Sequence, residues 1–246
     1  MRLTHWVPGD WPPMYWSAVE SWINLELPKD CTRTFKRSRS GDRKDMPHWN
    51  KVVEEFLESG DDWLFSTHQD VQFLPGTLKR LLSWEEPLIS GLVFMRQSPA
   101  TPHIWRSYDP NPQLFAHRMR DTQDWFFDHQ KYIQFGPFIM EPKPKDAIAP
   151  VDFTSTSCVL VHRSVLAGME PPWFMMHEDG VGGEDANFFV KAHNAGFQAY
   201  VDRSCGIGHI VGDISTSSMD FIMWSQSSEF KDTGEPGTKS NDHSAS

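Results

Sequence analysis

The chain has 246 residues, an apolar share of 39% and a net charge of −10. That length holds one domain with a sizeable core, and the 11 tryptophans and 17 phenylalanines bring bulky apolar area to it. The acidic balance argues against broad, sequence-independent nucleic-acid binding, and no apolar run reaches the ~18 residues of a membrane helix. Three cysteines, Cys31, Cys158 and Cys205, share no metal-type spacing and are odd in number, which argues against a disulfide framework. The first residues carry no apolar stretch of the secretory kind, so a cytoplasmic protein is expected.

Residues 2–7 read as a strand halted by the turn signal Pro8-Gly9-Asp10. Between Trp11 and Leu25, Tyr15, Ala18, Val19, Trp22 and Ile23 recur at helical spacing. Residues 28–46 are polar and basic and read as a loop, or as a short strand with a mobile arm. Arg33, Lys36, Arg37, Arg39, Arg43 and Lys44 fall inside that segment, with Asp42 the only acid among them. Trp49–Leu57 predicts an amphipathic helix ended by Ser59-Gly60-Asp61. Strands are predicted at Trp63–Ser66 and Leu88–Met95, with a short helix at Thr77–Leu82 between them. Residues 97–150 are rich in proline and aromatics, and read as an irregular insertion over one face of a sheet, with short helices near 113–118 and 122–130. Val151–Val161 reads as mostly strand, and Arg163–Ala167 begins a helix. Glu184 and Asp185 open a helix at Ala186–Asn194, Gly196 closes it, Gln198–Val201 is a short strand, and His209 sits beyond. Residues 231–246 have almost no apolar side chains and read as a disordered tail, leaving residues 1–230 as a single domain.

Helices that alternate with short apolar strands predict an α/β sheet, and such sheets bind ligands beyond the carboxyl ends of their strands. Asp70, Asp185 and His209 all fall just past a strand or at a helix start. In His68-Gln69-Asp70, two ligand-type side chains at i and i+2 point to the same side. Mn²⁺ or Mg²⁺ takes carboxylate oxygens, and Mn²⁺ also takes imidazole; the same tripeptide also reads as a polar turn. His209 alone reads equally as a loop or core histidine. Glu184-Asp185 supplies a candidate general base, and equally reads as a pair of helix-start carboxylates stabilised by exposed amides. The basic segment fits phosphate oxygens, or is a solvated loop. The aromatics of the insertion, Trp105, Tyr108, Trp125, Phe126, Phe127 and Tyr132, form a stacking wall or simply pack the insertion down.

Taken in order, these pieces resemble a glycosyltransferase of the GT-A fold, similar to the small family-2-like enzymes of phage and bacteria. Trp63 to Val71 followed by Pro75-Gly76-Thr77-Leu78 resembles the strand with the Asp-x-Asp motif and its following helix. Leu88–Arg96 resembles the next central strand, and Thr156–Leu166 a strand–helix unit. Pro172-Trp173-Phe174, Gly183-Glu184-Asp185-Ala186-Asn187-Phe188-Phe189, Gly196–Asp202 and Gly208-His209 complete the match. The resemblance implies a Rossmann-like, mostly parallel central sheet flanked by helices. It implies metal-dependent transfer of a sugar from a nucleotide-sugar donor, UDP-linked by preference, to a hydroxyl on a glycan, a protein or a hydroxymethylated DNA base. Asp185 would be the base of an inverting displacement, with Glu184 beside it; a retaining enzyme of the same fold is the near alternative. Asp70, His209 and His68 would hold Mn²⁺ or Mg²⁺. Pro8, Asp10, Arg39, Arg43, Gln69 and Gly183 would contact the donor, and Trp173, His177 and Trp105 the acceptor. Two departures stand out: His68 replaces the first aspartate of the Asp-x-Asp motif, and a basic loop replaces the usual nucleotide-binding segment. The first of these supports an alternative, a degenerate GT-A-like module that binds a nucleotide or glycan without turnover. The retained Asp185 and His209 argue against it. A metallohydrolase needs a denser ligand set than this sequence offers.

Overall fold

Apolar residues on the central strands face two ways, and that alternation decides the layering. In a computed structural model, residues 1–9, 15–38, 46–95, 102–105, 137–176, 183–211 and 214–216 are described. The elements run β1 (Arg2–Pro8), α1 (Trp16–Ile23), β2 (Thr32–Ser38), α2 (Met46–Ser59), β3 (Trp63–Thr67), β4 (Val71–Gln72), α3 (Thr77–Leu82), β5 (Leu88–Val93), β6 (Ile104–Trp105), β7 (Phe138–Ile139), β8 (Ile148–Val151), β9 (Phe153–Thr154), β10 (Cys158–His162), α4 (Arg163–Ala167), α5 (Glu184–Asn194), β11 (Ala199–Val211) and β12 (Ile214–Thr216).

The main sheet has the order β12-β11-β5-β10-β3-β1-β2. β1 pairs in parallel with β2 and β3, and β11 pairs in parallel with β5. β10 runs antiparallel between β3 and β5. On one face, Leu64, Leu88, Leu92, Val159 and Val161 meet Trp49, Val53 and Phe56 of α2, Val165 and Leu166 of α4, and Phe188 and Phe189 of α5. On the other, Phe65, Ile89, Val93 and Leu160 meet Ala18 and Trp22 of α1 and Leu78 and Leu81 of α3. Both faces are therefore covered by helices, as a largely parallel sheet requires.

Three expectations change. Val151–Val161 is not one strand: β8, β9 and β10 are separated, and Ser155-Thr156-Ser157 turns between β9 and β10. The cause is local, because the Ser157 backbone N–H donates to Ser155 Oγ at 3.1 Å, an alternative to a ladder bond. β11 runs 13 residues, far beyond Gln198–Val201, so His209 lies inside a strand rather than past one. Its register with β5 shifts across a bulge between Asp202 and Gly206, and pairing resumes beyond it. The described parts of the insertion also join the sheet, since β7 and β8 pair with β11. The polar segment after Pro28 resolves in favour of a strand, β2, aligned with all of β1. The helices expected near 113–118 and 122–130, and the tail 231–246, lie outside the described residues.

Candidate active site

The parallel strands bring their carboxyl ends to one edge of the sheet, and antiparallel β10 starts there. Cys158 at the start of β10 pairs with Thr67 at the end of β3. The Ser155–Ser157 turn therefore sits beside His68, whose backbone N–H donates to the Ser157 carbonyl at 3.0 Å. The His68 ring lies between two hydroxyls of that turn, with Nδ1 3.2 Å from Ser157 Oγ and Nε2 3.4 Å from Thr156 Oγ1. The Trp49 ring stands edge-on to it at 5.9 Å.

Thr156 also reaches Asp185 in the first turn of α5, and its hydroxyl donates to Asp185 Oδ1. The Thr156 backbone N–H and the Ser155 hydroxyl add further donors to this carboxyl group. Burial, then the neighbouring Glu184 carboxylate, push Asp185 up to about 7, outweighing the donors that favour its charge. Burial also raises Glu184. Gly183 caps α5 from an extended conformation, and a Cβ built on it meets nothing among the described residues within 4 Å.

β4 crosses antiparallel to the far end of β11 and sets His209 opposite Val71. The Ile210 N–H donates to the Asp70 carbonyl at 2.7 Å, drawing the two segments together. His209 Nε2 then lies 3.6 Å from Asp70 Oδ2, while His209 Nδ1 lies 2.7 Å from the Phe94 carbonyl. A carbonyl only accepts, so Nδ1 carries a hydrogen and Nε2 faces the carboxylate. Facing lone pairs there are relieved by a proton on Nε2 or by a cation between the groups. An imidazole anchored through its other nitrogen is the usual preparation of a metal-ligating histidine, and one carboxylate with one imidazole suits Mn²⁺ better than Mg²⁺. The pair fits part of a divalent-cation site. No group of three His, Cys, Asp or Glu side chains among the described residues is arranged to hold a metal.

His103 was not singled out from the sequence. Burial, with smaller contributions from His209 and His68, lowers its pKa to about 3. Nothing in its spacing marks it; only the fold brings it in. Gln69 is a second junction. Its side chain lies so close over Gly9 that a Cβ there would fall 2.6 Å from Gln69 Oε1. That oxygen is buried without a hydrogen-bond partner among the described residues. Pro8 is buried at the end of β1, paired with Ser38.

Trp173 is 5% exposed, and its indole N–H donates to the Leu166 carbonyl at 2.8 Å. It belongs to the core beneath the site. Phe174 stacks on Phe188 at 5.0 Å, and Asn50 clamps the Phe174 backbone through both its amide atoms, at 2.8 and 2.9 Å. Trp105 has its backbone in β6, but its side chain lies outside the described atoms. Asp10, Arg39, Arg43 and His177 lie outside the described residues. The structure thus joins Asp185 to His68 through Thr156 and joins Asp70 to His209.

No family model matches the chain, and no curated protein matches it. Among solved structures it is similar to A197 from STIV, with a TM-score of 0.55 at 13% identity, over 89% of this chain and 92% of that one. It also matches S. aureus TarS residues 1–349 at 13% identity, over 91% of this chain and 63% of that one, with a TM-score of 0.38. A longer TarS structure is matched at 12% identity and the same TM-score, over 87% of this chain and 36% of that one. The likeness to A197 is one of fold.

The chain has a Rossmann-like α/β fold, shared with A197. Its mixed α/β sheet is mostly parallel, is flanked by helices, and is interrupted by the antiparallel β10. None of the described helices is long and apolar enough to cross a membrane.

Proposed function

We propose that this protein is a glycosyltransferase that moves a sugar from a nucleotide-sugar donor, UDP-linked by preference, to a hydroxyl acceptor with inversion. The observation that carries the reading is the enclosed Asp185 carboxyl, held by Thr156 at the same sheet edge as the Asp70–His209 pair. Inverting displacement needs a base on one side of the anomeric carbon and a stabilised leaving group on the other. A carboxyl group that titrates near neutrality is matched to proton abstraction at physiological pH. Asp185 would take the acceptor proton, and Glu184 would orient the acceptor. Asp70 and His209 would hold Mn²⁺ or Mg²⁺, which when bound neutralises the charge on a departing diphosphate. Gln69, Pro8 and the segment carrying Asp10, Arg39 and Arg43 would receive the nucleotide, with Gly183 nearby. The acceptor would be a glycan, a protein or a hydroxymethylated DNA base, contacted from the side of Trp105 and His177, with Trp173 supporting that side from the core.

A second reading is favoured by one observation: His68 turns both ring nitrogens toward hydroxyls, leaving two donors for a cation. On that reading the domain binds a nucleotide or glycan without turnover. Calorimetric titration with UDP, GDP and their sugar conjugates, in Mn²⁺ and then in EDTA, tests both. Metal-dependent binding of one nucleotide, followed by sugar release or transfer with that donor, is expected. Binding without any turnover supports the second reading, and absence of binding to every nucleotide sinks the transferase. Asp70→Ala should abolish the metal-dependent part of the binding, and equal nucleotide affinity with and without Mn²⁺ in the unaltered protein removes Asp70 from that role.

A further inference from the structure

We infer that Thr156 is the positioning residue of the base, receiving a hydrogen bond from His68 and passing its own hydrogen to Asp185. The inference rests on the reading of Asp185 as the base and extends it to two residues outside the helix that carries it.

With Asp185 ionised, as a base must be before it acts, hydrogen counting fixes the direction. A threonine hydroxyl has one hydrogen, and here it points to Asp185 Oδ1. Toward His68 Nε2, 3.4 Å away, the same oxygen can therefore only accept. That places a hydrogen on Nε2. In the neutral ring Nδ1 then carries the lone pair, and the Ser157 hydroxyl at 3.2 Å supplies its hydrogen. Both ring nitrogens of His68 face hydroxyls of the turn. The backbone bond from His68 to the Ser157 carbonyl locks the ring to the same turn. The turn is itself braced by the Ser157 backbone N–H, which donates to Ser155 Oγ at 3.1 Å.

The arrangement has a chemical purpose. Asp185 carries a buried charge beside Glu184, and each donor aimed at it offsets the desolvation of the ionised form. The titratable groups that face it among the described residues are Glu184 on its own helix and, through Thr156, His68. A hydroxyl that already accepts from an N–H is a stronger donor than an isolated one. It also fixes which carboxyl oxygen is engaged, leaving the second to meet an acceptor hydroxyl. The replacement of a carboxylate by histidine at position 68 thus acts on the base rather than on the donor.

The test compares Thr156→Val and Thr156→Ser with the unaltered protein. Three quantities are read: kcat against pH, nucleotide-donor affinity, and the titration of the Asp185 carboxyl followed by carboxyl-carbon NMR. Thr156→Val should move the Asp185 midpoint upward by about a unit and lower kcat by roughly tenfold or more at neutral pH, with part of the rate recovered at higher pH. Donor affinity should stay unchanged, and Thr156→Ser should restore both properties. Should Thr156→Val lose its cooperative thermal transition, His68→Leu removes the same chain from its other end, and a smaller shift in the same direction is expected. An Asp185 midpoint that stays put in the folded variant overturns the inference, as does a serine variant that behaves like valine. If no donor supports transfer but the midpoint still moves, the positioning role stands and the transferase reading fails.

Discussion

Asp185 shows how one carboxyl group couples activity to stability. Its folded pKa of about 7 lies above the ordinary aspartate value of about 3.9. The folded state holds the proton more tightly than the unfolded one, so this group's stabilising contribution is complete below about pH 4 and is lost as pH rises through about 7. Asp185→Asn removes that loss. Thermal melts should show the unaltered protein losing ground to the asparagine variant between about pH 5 and pH 8, and parallel melting curves across that window would contradict it. In the same variant, kcat should fall by roughly 100- to 10,000-fold, with donor affinity kept. Near-normal turnover would take the base role from Asp185. The sequence made Asp185 visible because it pairs with Glu184 at a helix start. Thr156 was invisible, since a hydroxyl in a run of Ser and Thr has a role only through what folds against it. His209 was legible as a ligand type, but its partner Asp70 is set by the crossing of β4 over β11, which no local pattern encodes.

At the scale of elements, apolar periodicity was a sound guide wherever one face meets the core. The short helix at Thr77–Leu82 has the expected bounds, and α2 contains the expected Trp49–Leu57 and extends it at both ends. The reading broke down where buried backbone carries polar side chains. Asp202-Arg203-Ser204 lies beyond the strand expected at Gln198–Val201, yet all three residues are buried in β11. Asp202 accepts from the Ser204 hydroxyl at 2.6 Å and from the Trp84 indole at 2.7 Å. Arg203 donates to the carbonyls of Ala147 and Asp146. Satisfied in this way, polar groups tolerate burial, and the pattern that normally signals exposure is cancelled by partners far away in sequence. The bulge in β11 also brings backbone close to β5. A Cβ at Gly91 would fall 2.7 Å from Ile207 Cγ1 and 3.1 Å from the Cys205 carbonyl. Gly91→Ala should therefore cost about 1–3 kcal/mol, read as a lower denaturant midpoint at constant slope. An unchanged midpoint would mean that Ile207 yields without cost.

For the molecule as a whole, the two-sided core explains how a chain with a modest apolar share holds a sheet covered on both faces. Trp6, Trp49, Phe174 and Phe188 form one connected aromatic group under the site. The largest side chains thus lie where precise placement of α5 matters most. Phe188→Ala should destabilise by about 3–5 kcal/mol and reduce turnover among molecules that remain folded, because α5 carries Asp185. Calorimetry alongside a turnover assay separates these effects, and full activity per folded molecule would show that α5 keeps its position without that ring.

The antiparallel β10 has a consequence for how the protein is made. It is the strand between β3 and β5, yet it is translated after both, from residue 158 onward. A nascent chain that has emerged only to residue 150 owns the strands on either side of the gap but not the one that fills it. Until β10 arrives, β3 and β5 present inner edges that belong in the middle of the finished sheet, the kind of surface that pairs with the wrong partner. Release of a chain stalled at residue 150 should yield protease-sensitive, aggregation-prone material. Protection of the β1–β3 region should appear only once residues beyond Val165 have left the ribosome.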